Sequence, residues 1–248
     1  MLRTAVCLLF LSAAAARAAA DDDARSVIEK AVAAMGGAEK LSAAKAVRLA
    51  MKGTLHLEGG KAAVSGELLI AFPDKLRERT DFDVQGQSFS FLRVYDGKTG
   101  RQLGGGEDKA LEGEDLDDVR KSLHSAQVSM LAPLLADKEF ELAALGESRV
   151  GKTDVVGVRV SRKGVPDIRL FFDKATFLLV KEEGEAKDES NNKVLSETFH
   201  SDYKDFGGVK VAVKQRVRHG GKPFLDVEIT AFELPEKVDP AEFRPPER

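Results

Sequence analysis

From residue 140 to residue 234 the chain repeats one arrangement seven times: a run of strand-forming residues, then a turn. The runs cover 140–148, 153–162, 166–173, 177–186, 193–204, 208–218 and 223–234, with Gly151, Gly164, Gly207-Gly208 and Gly220-Gly221 between several of them. Nothing of helical period and length lies between the runs. A parallel neighbour needs a crossover of a dozen or more residues, so only antiparallel strands joined by short turns fit this segment.

The N-terminal part adds to the same sheet. Leu49, Met51, Leu55 and Leu57 alternate with Arg48, Lys52, Thr54 and His56. After Gly59-Gly60, Val64, Leu68, Ile70 and Phe72 alternate with Ser65 and Glu67, which predicts a hairpin. Pro73-Asp74 ends that strand, a third runs from Leu76 to Val84, and a fourth from Phe89 to Tyr95 closes on the turn Asp96-Gly97. Two segments have helical period instead. Val27, Ile28, Ala31, Val32 and Met35 form a stripe stopped by Gly36-Gly37, with a short helical turn around Leu41 after it. Beyond the expected loop Gly104-Gly105-Gly106, a helix from Asp115 to Met130 carries Leu116, Val119, Leu123, Met130 and Leu131 on one side, and Pro133 bends or ends it.

The expectation is a mainly β fold with some α: about eleven antiparallel strands in one long sheet, which curls because twisted open sheets rarely stay flat beyond roughly ten strands. Two helices are too few to fill such a curl. The helix 115–130 is expected to lie over its mouth as a lid.

The first twenty residues read as a cleavable signal peptide: a basic start at Arg3, an apolar run from Ala5 to Ala16, and Ala18-Ala19-Ala20 before Asp21. The run is too short for a membrane anchor. Residues 21–248 are then one exported domain in the periplasm, without the sole cysteine, Cys7. With 38 basic against 41 acidic residues and no tryptophan, the composition offers no positive field for nucleic acid.

Motifs of chemistry are few. Gly146 to Thr153 fits the phosphate-loop expression G-x-x-x-x-G-K-[ST], but its exit, Asp154-Val155-Val156-Gly157-Val158, is β-branched rather than helical, so a hairpin turn is expected. His56, His124, His200 and His219 lack ligand spacing, so no metal site is assigned and surface or strand-edge places are expected. Glu182 and Glu183 are adjacent on a strand and face opposite sides. No catalytic residue and no cofactor is assigned, and the chain reads as a non-enzyme. What remains is apolar surface on strands: Met51, Leu55, Leu68, Ile70, Phe89, Phe91, Ile168, Leu170 and Phe172 are the expected lining of a cavity inside the curl.

Several stretches resemble the LolA/LolB-like lipoprotein-sorting proteins of bacteria. Gly66-Glu67-Leu68-Leu69-Ile70-Ala71-Phe72-Pro73-Asp74-Lys75-Leu76-Arg77 is similar to that family's G-x-L…P-x-x-x-R strand pair, and Tyr95-Asp96-Gly97 to its following turn. Leu170-Phe171-Phe172-Asp173 with Leu178-Leu179-Val180 resembles its central strands. Tyr203, Gly207-Gly208-Val209 and Val238-Asp239-Pro240…Phe243…Pro245 resemble its ending. The resemblance implies an unclosed β-barrel with a helical lid, and a monomeric periplasmic carrier of lipid or lipoprotein acyl chains in outer-membrane lipoprotein sorting. A membrane-bound donor or acceptor protein is the candidate partner. It also implies an arginine that gates the lid, for which Arg77 and Arg93 are the two candidates. The alternative is an envelope regulatory or assembly module of the same fold that binds a membrane-anchored protein.

Overall fold

The structure, a computed structural model, describes residues 23–84, 86–188 and 190–245, so the expected signal segment lies outside it. Helix α1 covers residues 23–35 and buries Val27, Ile28, Ala31 and Val32 of the stripe read from the sequence, with Met35 of that stripe partly buried and Ala24 buried in addition. Gly36 ends it at φ 146°, where a Cβ would stand 2.5 Å from the Gly208 carbonyl oxygen, so the turn toward helix α2 (Ala38–Ala43) needs glycine.

Six strands follow: β1 (Ala46–Leu57), β2 (Gly60–Ala71), β3 (Lys75–Val84), β4 (Gln87–Tyr95), β5 (Gly100–Gly104) and β6 (Glu107–Ala110). Helices α3 (Gly113–Ser129) and α4 (Ala132–Ala136) come next. The C-terminal part is β7 (Glu141–Val150), β8 (Thr153–Ser161), β9 (Ile168–Asp173), β10 (Leu179–Lys187), β11 (Lys193–Phe206), β12 (Val209–His219) and β13 (Lys222–Glu233), closed by a 3-10 turn at Pro240–Phe243. The segment expected as a glycine loop is a hairpin: Gly104, Gly105 and Gly106, all at positive φ, turn β5 into β6. These two strands are short and charged, without an alternation to mark them. Pro133 opens α4 rather than only ending α3, because the first turn of a helix does not use the N–H that proline lacks.

All thirteen strands belong to one antiparallel sheet in the order β6-β5-β4-β3-β2-β1-β13-β12-β11-β10-β9-β8-β7. Every neighbour is a sequential hairpin except β1 and β13, which join the N-terminal meander to the C-terminal one. The edges β6 and β7 do not meet, and α3 with α4 is the connection between them.

The curl follows from what α3 touches. Ser125 donates to Glu182 on β10 at 3.2 Å, and Gln127, two residues on, donates to the Pro73 carbonyl between β2 and β3 at 3.0 Å. Six strand steps separate β3 from β10 in the sheet order, about 29 Å if flat at roughly 4.8 Å a step. A helix is only about 10–12 Å across with its side chains, so the sheet bends around it into an unclosed barrel.

Two apolar clusters fill the helix-covered part. The larger packs α1, Leu41, Leu131 and Leu134 on Val158, Val160, Ile168, Leu170, Phe172 and Val209. The smaller packs Val119 and Leu123 of α3 on Ile70, Leu76, Tyr95 and Leu111. Each such buried side chain contributes about 1.5–3 kcal/mol of transfer free energy.

The phosphate-loop expression falls on the β7–β8 hairpin. Gly151 sits in its turn at φ 61°, Thr153 begins β8, and Arg149 pairs with Asp154 across the strands at 2.7 Å. The element that leaves this turn is a strand, not a helix.

Candidate functional site

Strand register places the nine expected lining residues on the helix-bearing face. Leu55 is opposite Leu225, Leu225 opposite Val217, Val217 opposite Thr198, Thr198 opposite Glu182, and Glu182 opposite Leu170. In the other direction Met51 faces Gly66, Gly66 faces Thr80, and Thr80 faces Phe91. Leu68, Ile70 and Phe89 follow by the two-residue alternation of their strands, as do Ile168 and Phe172.

The face is not used uniformly. Ile168, Leu170 and Phe172 are buried under α1 and α4, Ile70 is buried under α3, and Leu68 packs against the same cluster. Met51, Leu55 and Phe91 are half-buried and belong to neither cluster, and Phe89 is 41% exposed. Phe82 meets Phe91 edge-on at 6.0 Å, and Val64 and Val227 complete this wall. The interior therefore has a plugged end and an apolar end that no helix covers.

The five residues expected in a lid divide as well. Val119 and Leu123 point into the smaller cluster with half-buried Leu116 beside them, whereas Met130 and Leu131 lie past the end of α3 and join the larger one. Leu131 adopts φ 57°, and this break lets the chain turn into α4. Gln127 is a second fastening that the sequence did not mark. It accepts from Arg162 at 2.9 Å while it donates to Pro73, linking the end of β8 to the β2–β3 turn.

The two gate candidates lie on opposite faces. Arg77 is one residue from core-facing Leu76 and projects outward, where it donates to the Glu242 carbonyl at 3.2 Å. It does not enter the interior. Arg93 does: it lies on the face of Phe91 and Tyr95, 3.7 Å from Glu78 in an ion pair.

The interior also holds polar groups that the sequence reading placed elsewhere. Glu182 faces inward and Glu183 outward, as alternation requires, but α3 crosses directly over Glu182. Burial pushes the Glu182 carboxyl up to about 7, against the hydrogen bonds of Ser125 and Ser129, which favour its charged form. His124 and His200 do not lie at the surface. His124 is buried, stacked on Phe140 at 5.8 Å, and neither ring nitrogen has a partner. His200 shares the face of Thr198 and stands opposite Gln215; burial lowers it to about 4, and its Nε2 has no partner. A cleft of about 260 Å³ between α3 and β9–β11 is lined by His124, Ser125, Glu182, Ser196 and Thr198 among others. Alternation marks Glu182, Thr198 and His200 as one face; the covering of Glu182 and Thr198 depends on a helix from the far edge of the sheet.

Among the described residues no group of three His, Cys, Asp or Glu is placed to hold a metal ion, and no helix is long and apolar enough to cross a membrane.

No family model matches the sequence, and neither does any curated protein. The fold does have solved counterparts. A LolA-superfamily protein from Nitrosomonas europaea superposes with a TM-score of 0.57 at 10% identity, over 90% of this chain and 97% of that one. A domain named for outer membrane lipoprotein sorting, from Vibrio parahaemolyticus, gives 0.53 at 12% identity over 90% and 97%. A DUF1329-family protein from Desulfovibrio piger gives 0.53 at 12% over 89% and 97%. At these identities the likeness is one of fold, and the fold is LolA-like.

Proposed function

We propose that the protein is a non-enzymatic carrier that holds the acyl chains of lipids or lipoproteins in the open end of its barrel and works in the periplasm as a monomer. One observation carries the reading. The sheet curls around an apolar wall of Met51, Leu55, Phe82 and Phe91 that no helix fills, while α3 spans the interior beside it from the β2–β3 turn to β10. Each methylene moved from water to such a wall contributes about 0.8 kcal/mol, so ten give roughly 8 kcal/mol before ordering costs. That retains a lipid without a covalent bond. The likeness in fold to a lipoprotein-sorting domain supports this reading. Arg93, paired with Glu78 inside the barrel, is the better placed of the two gate candidates.

The test is native mass spectrometry of protein purified from its exported form under mild extraction, with binding of an apolar fluorophore to the delipidated protein. Co-purified lipid and saturable fluorophore binding support the carrier. Neither one appearing overturns it.

The free edge β7 favours a second reading, in which a membrane-anchored protein adds a strand to the sheet. This ten-residue strand has a neighbour on one side only, and its Leu145 is 42% exposed. Recovery of a stoichiometric protein partner without lipid would select it.

A further inference from the structure

The interior of a pure hydrocarbon carrier needs no polar groups, and this one has a connected set of them. Glu182, Thr198, His200 and Gln215 occupy neighbouring positions of β10, β11 and β12 on the inner face. A buried polar atom without a hydrogen-bond partner costs about 1–3 kcal/mol, and native proteins seldom keep one without use. Here His200 Nε2 and both nitrogens of His124 have none. The set is not isolated from the apolar wall. Thr198, Val217, Leu225 and Leu55 lie opposite one another in turn, so the polar groups and the wall are three strand steps apart, about 14 Å. An ordinary acyl chain spans that distance.

The charges nearby decide what kind of head group fits. The cleft under α3 is bordered by Glu182, Glu185 and Asp167, and its Lys121 is paired with Asp118 at 3.0 Å. An anion placed there meets acids and no free cation, and a buried unpaired charge is strongly disfavoured. An uncharged carbonyl meets the opposite situation: the hydroxyls of Ser125, Ser196 and Thr198 and the imidazole of His124 can donate to it, and His200 and Gln215 stand next to Thr198 on the sheet beyond the cleft lining.

We propose that Thr198, His200 and Gln215, beside Glu182, anchor the uncharged ester carbonyl of a bound acyl ligand whose hydrocarbon chain lies along the Met51, Leu55 and Phe91 wall. This rests on the carrier reading and adds a ligand class to it: esterified acyl chains, as glycerolipids and lipidated proteins both present.

The experiment compares an ester with a hydrocarbon of similar length. Methyl palmitate and heptadecane each displace N-phenyl-1-naphthylamine from the wild type, from His200→Leu and from the nearly isosteric Thr198→Val. Both ligands leave the same water in every protein, so the solvent contribution cancels in the ratio of ratios, as in a double-mutant cycle. The ester-to-alkane affinity ratio is expected to fall about fivefold in His200→Leu, the worth of one net hydrogen bond, and to fall in the same direction in Thr198→Val. Thr198→Val carries the test if His200→Leu does not fold. A ratio unchanged in the folded variants overturns the anchor while leaving the carrier intact. If the fluorophore does not bind the wild type at all, the carrier reading fails and the anchor fails with it. Repeating the comparison with dipalmitoylglycerol and with a dipalmitoylated peptide separates the two sources of ester: a drop for either supports the anchor, and a drop for neither overturns it.

Discussion

Ser125 on α3 donates its hydroxyl to Glu182 on β10 at 3.2 Å, so a helix that leaves one edge of the sheet is held to a strand near the other. The carboxyl under the helix is raised to about 7 by burial, above its ordinary value of 4.5. The folded state therefore binds the proton more tightly than the unfolded chain. This stabilising contribution is full below the unfolded value and is lost as pH rises to about 7. His200 acts in the opposite sense: its lowered folded value makes stability rise with pH between about 4 and 6.5. Glu182→Gln isolates the first effect, because glutamine keeps the shape without the titration. Urea midpoints at pH 5 and pH 8 should show the wild type losing stability relative to Glu182→Gln as pH rises. A constant difference between the two proteins would show that Glu182 does not titrate in this range.

Leu123 is the position of the proposed lid to disrupt, because it packs on Ile70, Leu76 and Tyr95 in the smaller cluster and not in the larger one. Leu123→Asp should weaken lipid retention and leave the β-sheet circular-dichroism signal largely intact. The unfavourable burial of the carboxylate lifts α3 from β2–β4 at a cost of about 3 kcal/mol or more. Loss of all structure would make α3 an ordinary core helix. Full retention in a folded variant would mean that α3 does not guard the interior.

Gln127 fastens the same helix through polar contacts alone, between Pro73 and Arg162. Gln127→Ala removes both hydrogen bonds, each worth about 1 kcal/mol or somewhat more where the arginine is the donor. Fluorophore release in stopped flow should accelerate by up to roughly thirtyfold where both bonds break before release, with equilibrium sheet content unchanged. An unaltered release rate would assign closure to the apolar contacts.

Gly53 lies on β1 where it pairs with β13, the one junction between the two meanders. A Cβ at this position would overlap the Asp226 carbonyl, whereas Gly184 on β10 has open space around it. Gly53→Ala should destabilise by about 2–4 kcal/mol, while Gly184→Ala should be neutral or slightly stabilising through the reduced entropy of the unfolded chain. Denaturant unfolding of the two variants checks this. Equal effects would mean that β1 and β13 can separate locally without loss.

The sequence by itself determined the strands and their faces. Alternation depends on neighbours two residues apart, and for that reason β1–β4, β7–β13 and the shared face of Met51, Leu55, Leu170 and Phe172 were legible. The same parity separates Arg77 from Arg93 and Glu183 from Glu182. It was silent on β5 and β6, whose short charged runs around three glycines carry no period. The tertiary structure alone decided which part of the face is plugged and which is open, and which polar residues lose water. Those outcomes depend on where α1, α3 and α4 land. Helix α3 reaches Glu182 only because thirteen strands curl far enough to bring β3 and β10 to its two sides. Curvature is a sum over the whole sheet, and no local stretch of sequence carries it.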